Sequence, residues 1–289
     1  MKEKIITIKK EDKAVNILKD ELKDLSLKKI KSYFKYKMVE VNGKILTNYN
    51  IVLKKGDVLK VYFTRKVINE FDLDILYEDD DLIAINKPAG LLSISNSKEK
   101  EATAFRMVSE YIKKDKRSAK LFVVHRLDQG TSGVLLFAKN EKIKTILQKN
   151  WNSLVLKREY IAVVEGKMPK KGTIESYLMM NHFQIVHSTK DKENGWYAKT
   201  NYELKKYANS YSLLEVNIET GRRNQIRVHM SEEGHPVTGD KKYGAKKNPI
   251  NRLALHASKL YIMDPRTRKE LRLQAEVPRE ILDLVDYKL

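Results

Sequence analysis

The chain contains no cysteine. That removes disulfides, thiolate metal sites and cysteine nucleophiles from consideration. No apolar run approaches the roughly 18 residues of a membrane-crossing helix. The first ten residues mix Lys and Glu with single Ile residues, so they do not read as a secretory signal. Histidine is scarce, at six. His182 and His187 have the wrong spacing for one helix face, and without cysteine no convincing ligand set assembles. A Gly-rich phosphate loop of Walker or dinucleotide type is also missing. The expectation is a soluble cytoplasmic protein with no metal, no nucleotide cofactor and no membrane partner.

Acidic residues are in short supply. There are 57 Lys and Arg against 38 Asp and Glu, a net charge of +19. A polyanionic partner follows, because neutralised phosphates release counterions. The surplus is uneven. Residues 1–68 hold 18 basic and 8 acidic residues, an excess of ten in less than a quarter of the chain. That distribution argues for a dedicated basic module rather than a general lysine bias. The composition, 42% hydrophobic and 33% charged, is enough for a core, and 289 residues fit one large or two domains.

In the basic module Val15, Leu18, Leu22 and Leu25 recur at helical spacing. Ser26 is placed to cap a second helix, whose apolar stripe is Ile30, Tyr33, Phe34 and Met38. Lys28, Lys29, Lys31, Lys35 and Lys37 mostly fall off that stripe and would face solvent. Val39 and Val41 lead into Asn42-Gly43, a hairpin signal. Lys55-Gly56-Asp57 is a second turn before an apolar strand over residues 58–63. Residues 64–69 read as a short connector, which gives domains at 1–66 and 67–289.

The most distinctive stretch is His125-Arg126-Leu127-Asp128-Gln129-Gly130-Thr131-Ser132-Gly133. Apolar residues 121–124 and 134–137 flank it, so two buried strands with a tight polar turn between them are expected. Such a frame would hold one carboxylate and one guanidinium at a strand end. The plainer alternative is an Asp that caps its own turn, with Arg126 and His125 solvated. Upstream, residues 75–90 read as strand, acidic turn, strand and a Pro-Gly break. Phe105, Val108 and Ile112 have helical spacing, and residues 113–120 form a charged connection. Asn140 is placed to cap a helix carrying Ile143, Ile146 and Leu147. Downstream, residues 154–165 alternate as a strand with Tyr160, Ala162 and Val164 on one face. Residues 211–218 form another strand. Gly221 suits a turn into a helix with Ile226, His229 and Met230 on one side. Residues 234–240 make a structured loop, and residues 252–257 an alternating strand.

His125 to Gly133 resembles the HRLD-x-x-TSG signature of the RluA-type RNA pseudouridine synthases. Asn86-Lys87-Pro88-Ala89-Gly90 is similar to the opening of that family's catalytic domain. Residues 157–166, with Tyr160, are similar to its second motif, and residues 220–229 to its third, TGR-x-HQIRVH. The family often has a His soon after Gly90; here there is none, so no role passes to residues 91–95. Arg223 and Asn224 depart from the third motif, and no role is expected of Asn224. Residues 1–66 resemble an S-four-type RNA-binding domain.

The resemblance implies an α+β pseudouridine synthase fold. Its sheet would be mixed and mostly antiparallel, with a central active-site cleft, and a small N-terminal α/β RNA-binding domain would precede it. It implies Asp128 as the essential carboxylate, Arg227 as its cation and Tyr160 against the target base. Arg126, His125, Thr131 and Arg222 would contact substrate. Lys28, Lys29, Lys31, Lys35 and Lys44 would bind RNA. The partner would be RNA, ribosomal RNA first and transfer RNA as the alternative, and a monomer is expected.

Turning uridine into pseudouridine breaks the sugar–nitrogen bond, rotates the base and joins the same sugar carbon to a ring carbon. A carboxylate can attack as a nucleophile or abstract a sugar proton, and both routes stay open. Either needs an ionised carboxylate, which a neighbouring guanidinium favours. Everting the nucleotide costs roughly a few kcal/mol, and unstacking is cheaper in loops. A structured ribosomal RNA loop is therefore the expected substrate. A non-catalytic RNA-binding or ribosome-assembly protein is the competing reading; intact Asp128, Tyr160 and Arg227 argue against it. A glycosidase would want a second carboxylate, and none stands out.

Overall fold

The computed structural model describes residues 3–35, 38–63, 73–95 and 103–287. The chain divides into two compact units, Met1–Ile68 and Asn69–Leu289. No helix among the described residues is long and apolar enough to cross a membrane.

The small unit runs β1 (Glu3–Thr7), β2 (Asp12–Lys13), α1 (Ala14–Glu21), α2 (Leu27–Lys35), β3 (Val39–Val41), β4 (Lys44–Ile45), β5 (Val52–Leu53) and β6 (Val58–Tyr62). α1 stops earlier than the leucine spacing predicts. Leu22 is its C-cap, and Leu22 and Leu25 pack on the core from beyond the helix end. Ser26 Oγ accepts the Lys29 N–H at 3.3 Å, the cap expected from the sequence. Ile30, Tyr33, Phe34 and Met38 are buried with Leu18 and Leu59. Asn42 and Gly43 take left-handed backbone angles and join β3 to β4. The Asn42 side chain reaches Asp57 and the Val58 N–H, both at 2.9 Å, and so locks the two turns together. The main sheet is antiparallel in the order β1-β6-β3-β4. Lys28, Lys29 and Lys44 are exposed, and Lys31 lies over the ring of Tyr49 at 4.8 Å. The Lys35 side chain, Lys37 and the connector at 64–69 lie outside the described residues.

The large unit contains β7 (Ile75–Glu78), β8 (Leu82–Lys87), α3 (Ala104–Asp115), β9 (Phe122–Val123), β10 (Ser132–Ala138), α4 (Glu141–Lys149), α5 (Trp151–Leu154) and β11 (Val155–Glu165). It continues with β12 (Lys171–Met180), β13 (Val186–Thr189), β14 (Trp196–Ala208), β15 (Tyr211–Ile218), α6 (Gln225–Glu232), β16 (Leu255–Met263), β17 (Glu270–Gln274) and α7 (Arg279–Asp283). One sheet of eleven strands results. Its path is β13-β12-β14-β15-β11-β16-β10-β8-β7, with β17 on β16 and β9 on β10. Among the described residues β10 and β16 form its single parallel pair, joining Ser132 to His256 and Gly133 to Ala257. This is an α+β fold with a mixed, mostly antiparallel sheet.

Several elements differ from the spacing-based expectation. The strand before the Asp128 stretch is only Phe122–Val123, and it folds back on the far end of β10. The tight turn is shorter than predicted: the Thr131 N–H reaches Asp128 O at 3.1 Å, and Ser132 and Gly133 already belong to β10. β10 is buried at every residue, because helices and strands cover both of its faces. α3 continues to Asp115, its last turn carrying Lys113 and Lys114 where the helix dipole favours cations. β16 starts at Leu255 rather than 252, since the Ala254 N–H is taken by Thr238 O at 2.9 Å. Opposite β16, β11 bulges between Glu159 and Tyr160, a device that re-aims a side chain.

Candidate active site

The β9–β10 loop carries Asp128, and two hydrogen-bonded ties fix its backbone. Ser93 Oγ donates to Leu127 O at 2.7 Å and accepts from the Leu127 N–H at 3.0 Å. Gln129 O accepts from the Gly90 N–H at 2.8 Å and from Lys87 Nζ at 3.2 Å, while the Gln129 amide donates to Gly90 O at 3.0 Å. Lys87 is fully buried, and its ammonium also donates to Pro88 O and Leu91 O, at 3.0 and 2.8 Å. Burial pulls this ammonium down to about 7, against the opposing charge of Asp128. Leu91 and Ser93, in the stretch 91–95 to which the sequence passed no role, thus help to build the seat of Asp128.

Arg227 rises from α6. The helix entry is fixed by Gln225, whose Oε1 accepts from Thr220 Oγ1 at 2.7 Å and the Arg222 N–H at 3.0 Å. Its amide donates to Lys199 O and Thr200 Oγ1, both at 2.9 Å. Arg227 grips Asp240 in a two-pronged pair, Nε to Oδ2 at 2.5 Å and Nη2 to Oδ1 at 2.7 Å. Its Nη1 donates to Asp128 Oδ2 at 3.3 Å and to Asn224 Oδ1 at 3.0 Å. Burial alone would pull the guanidinium down; Asp240, with a smaller share from Asp128, carries it above its usual value.

Asp240 is 2% exposed and Asp128 26%. Arg227 is therefore anchored on the buried acid and offers a single N–H to the accessible one. Asn224, at the helix N-cap with φ 55, also donates to the Tyr243 hydroxyl at 2.9 Å. The expectation of no role for Asn224 is corrected: its amide holds the third edge of Arg227. An amide can accept from Arg227 and donate to Tyr243 at once.

Tyr160 follows the β11 bulge. Burial pushes its hydroxyl up to about 12, Arg158 opposing and Asp128 adding to the shift, so the phenol stays protonated at neutral pH. His125 accepts the Leu136 N–H on Nε2 at 3.0 Å and lies against Trp151 with ring centroids 5.1 Å apart. Burial, helped by Arg158, drives its pKa to about 3, so it is a neutral wall and not a cation. Arg126 is exposed, Thr131 is buried, and Arg222 Nε donates to Tyr197 O at 2.9 Å. Asp128, Tyr160, Arg227, Arg126, His125, Thr131 and Arg222 all line one cleft of about 940 Å³. The remaining expected residues, Lys28, Lys29, Lys31, Lys35 and Lys44, belong to the small unit.

Sequence reasoning missed Lys87, Ser93, Asn224 and Asp240. A lysine ending the otherwise buried strand β8 is a visible oddity. Nothing in spacing ties residue 240 to residue 227, since the partnership is made by a loop folding back over α6.

A cleft with one accessible carboxylate, a guanidinium tethered behind it and a protonated tyrosine can hold a flat base and attack or deprotonate the sugar below it. Residues 81–232 match the RNA pseudouridylate synthase family. The uncharacterized RNA pseudouridine synthase YhcT of Bacillus subtilis is 35% identical over 93% of this chain and 91% of its own length. The tRNA pseudouridine synthase C of Haemophilus ducreyi is 36% identical over 71% of this chain and 90% of its own. The ribosomal large subunit pseudouridine synthase D of Yersinia pestis is 28% identical over 91% and 86%. Among solved structures, human RNA pseudouridylate synthase domain containing 4 shares the fold, with a TM-score of 0.59 at 23% identity over 75% of this chain and 94% of its own. Since the family match spans just over half of the chain and relatives above 30% identity span most of it, the chain belongs to the RNA pseudouridylate synthases of RluA type.

Proposed function

We propose that this synthase isomerises uridines in structured large-subunit ribosomal RNA, with Asp128 as the essential carboxylate. The observation that carries the reading is the 3.3 Å contact between Arg227 and Asp128 in the cleft that Tyr160 also lines. Asp128 either attacks the sugar or removes a sugar proton as the bond from C1′ to N1 breaks. Uracil turns about its own plane without leaving, C1′ bonds to C5, the C5 proton departs, and N1 gains a proton. Atoms and charge balance with no outside reagent. Arg227 holds the carboxylate in place through its Nη1, and Tyr160 stacks on the turning ring. Arg126, at the exposed mouth, holds the everted nucleotide by its phosphate.

Residues 1–66 act as an S-four-type grip on the RNA backbone, where contacts position without reading sequence. The choice of ribosomal RNA is favoured by the large-subunit synthase, which aligns with 91% of this chain, against 71% for the transfer RNA synthase.

The test incubates the full chain with unmodified large-subunit ribosomal RNA and with transfer RNA, and maps pseudouridine. Product in the ribosomal RNA, and none with Asp128→Asn, is expected. Product in transfer RNA alone overturns the substrate assignment. Full activity of Asp128→Asn overturns the catalytic one. RNA binding without product would return the non-catalytic reading.

A further inference from the structure

The turn between β12 and β13 is rigidly built, yet it presents an aromatic ring to solvent. Asn181 Oδ1 accepts the N–H groups of Phe183 and Ile185, both at 3.0 Å. The Asn181 N–H donates to Ile185 O, and the Gln184 N–H to Asn181 O, both at 2.9 Å. Gln184 is held at φ 59, a conformation that a non-glycine side chain rarely adopts. Phe183 is 71% exposed at the tip, with His182 stacked on it.

The tip stands at the mouth of the cleft. Gln184 lines it, and the Gln184 carbonyl accepts from Lys242 Nζ at 2.9 Å. Arg223 Nη1 rests on Met180 Sδ at 3.2 Å, and Arg222 Nε binds the carbonyl of Tyr197, next to Trp196. Trp196 is 51% exposed on β14. Arg222, Arg223 and Lys242 all line the cleft, and among the described residues none has an ion-pair partner. A single exposed Phe needs no explanation. Two exposed aromatics, one next to the cleft-lining Gln184 and one next to the residue whose carbonyl Arg222 binds, together with three cations that have no ion-pair partner among the described residues, are another matter. Stacking surfaces next to phosphate-binding cations are the composition of a single-strand platform.

Resting on the RNA reading above, we infer that the β12–β13 turn and the start of β14 form a second RNA contact. Phe183 and Trp196 each stack on an unpaired base flanking the target uridine. Arg222, Arg223 and Lys242 hold the phosphates between those bases and the cleft. A protein partner would require carboxylates facing these cations and would leave RNA affinity untouched when the rings are removed.

The test compares the full-length wild type with Phe183→Ala, Trp196→Ala, the double variant, and the conservative pair Phe183→Tyr and Trp196→Phe. The probe is the unmodified RNA that the wild type converts. Kd, KM and kcat are read separately. Each Ala change is expected to raise Kd and KM about tenfold, as expected for one lost stacking contact. kcat at saturating RNA should stay within about twofold, and the conservative variants should bind as wild type does. Unchanged Kd in the double variant overturns the inference, as does a loss of kcat and thermal stability that the conservative variants fail to restore. If the wild type makes no pseudouridine while the double variant still binds more weakly, the catalytic reading falls and the contact surface stands. If the wild type is active and Kd does not move, only the contact surface falls.

Discussion

Lys87 occupies a place where lysine is rarely found. It is fully buried, and its three acceptors are backbone carbonyls on both sides of the seam under Asp128. With its pKa lowered to about 7 by burial, its charge changes within the working range of pH. Above that value the ammonium becomes a two-donor amine and the seam loses a tie. kcat should therefore fall along an alkaline limb beginning near pH 7. Lys87→Met should lower kcat about tenfold at pH 6.5, the equivalent of roughly one hydrogen bond, and should erase that limb. A limb that persists in the variant assigns it to another group. The effect on stability has the opposite sign. The folded pKa lies below the unfolded one, so the unfolded chain binds more protons between about pH 7 and 10.5, and Lys87's burial penalty shrinks as pH rises through that window. At this scale the accessible members of the site, Asp128, Tyr160 and Arg227, were legible because each sits inside a contiguous motif. Asp240 was not: its work is to hold Arg227, and a side chain's partner across a fold leaves no trace in local spacing. Asn224 was set aside because it departs from the motif that contains Arg227.

Among the elements, β10 was clear from its unbroken apolar run, β11 from its alternation, and α4 from Asn140, whose Oδ1 accepts the Ile143 N–H at 2.9 Å. The pairing of β10 with β16 was not, because alternation reveals strands without neighbours. That pairing explains a glycine the motif left unexplained. Gly133 has φ +108, and a Cβ there would lie 2.2 Å from Ala257 O on β16. No side-chain rotation relieves a clash with backbone. Gly133→Ala must push the two central strands apart, directly behind the Asp128 loop, and should cost about 3 kcal/mol or more, the range of strain at a special φ/ψ combined with overpacking. Gly130→Ala is the comparison. Its Cβ would meet the Leu253 side chain at 3.2 Å, which can give way. Urea unfolding should show a large loss for the first variant and a loss within about 1 kcal/mol for the second. Equal midpoints for Gly133→Ala and wild type would contradict the packing argument.

For the whole molecule, acid stability depends on imidazoles sealed in the large unit. His229 and His256 are fully buried, and burial lowers both from 6.5 to about 4. Each stays neutral between Ser176 and Thr200, or between Ser132 and Ala275. Their folded pKa values are depressed, so their stabilisation is complete above about pH 6.5 and is lost as pH falls toward 4. Each shift of about 2.5 units corresponds to up to about 3 kcal/mol. The urea midpoint should drop between pH 7 and 4.5, and less steeply in His229→Gln; a midpoint flat across that range would refute the account. Charge at the scale of the chain leads to a different measurement. About half of the +19 excess lies in residues 1–68, where Lys28 and Lys29 are exposed on α2 and Lys31 lies partly over Tyr49. If these lysines grip phosphates, each releases counterions on binding. The slope of log affinity against log salt should then shrink by about 0.7–0.9 per contact removed. Replacing all three with Gln in the full chain should lower the slope by about two to three. It should weaken binding most at low salt and leave kcat at saturating RNA unaltered, since all three belong to the small unit and the reacting groups to the large one. An unaltered slope would move the phosphate grip off this helix, whatever the affinity of the wild type.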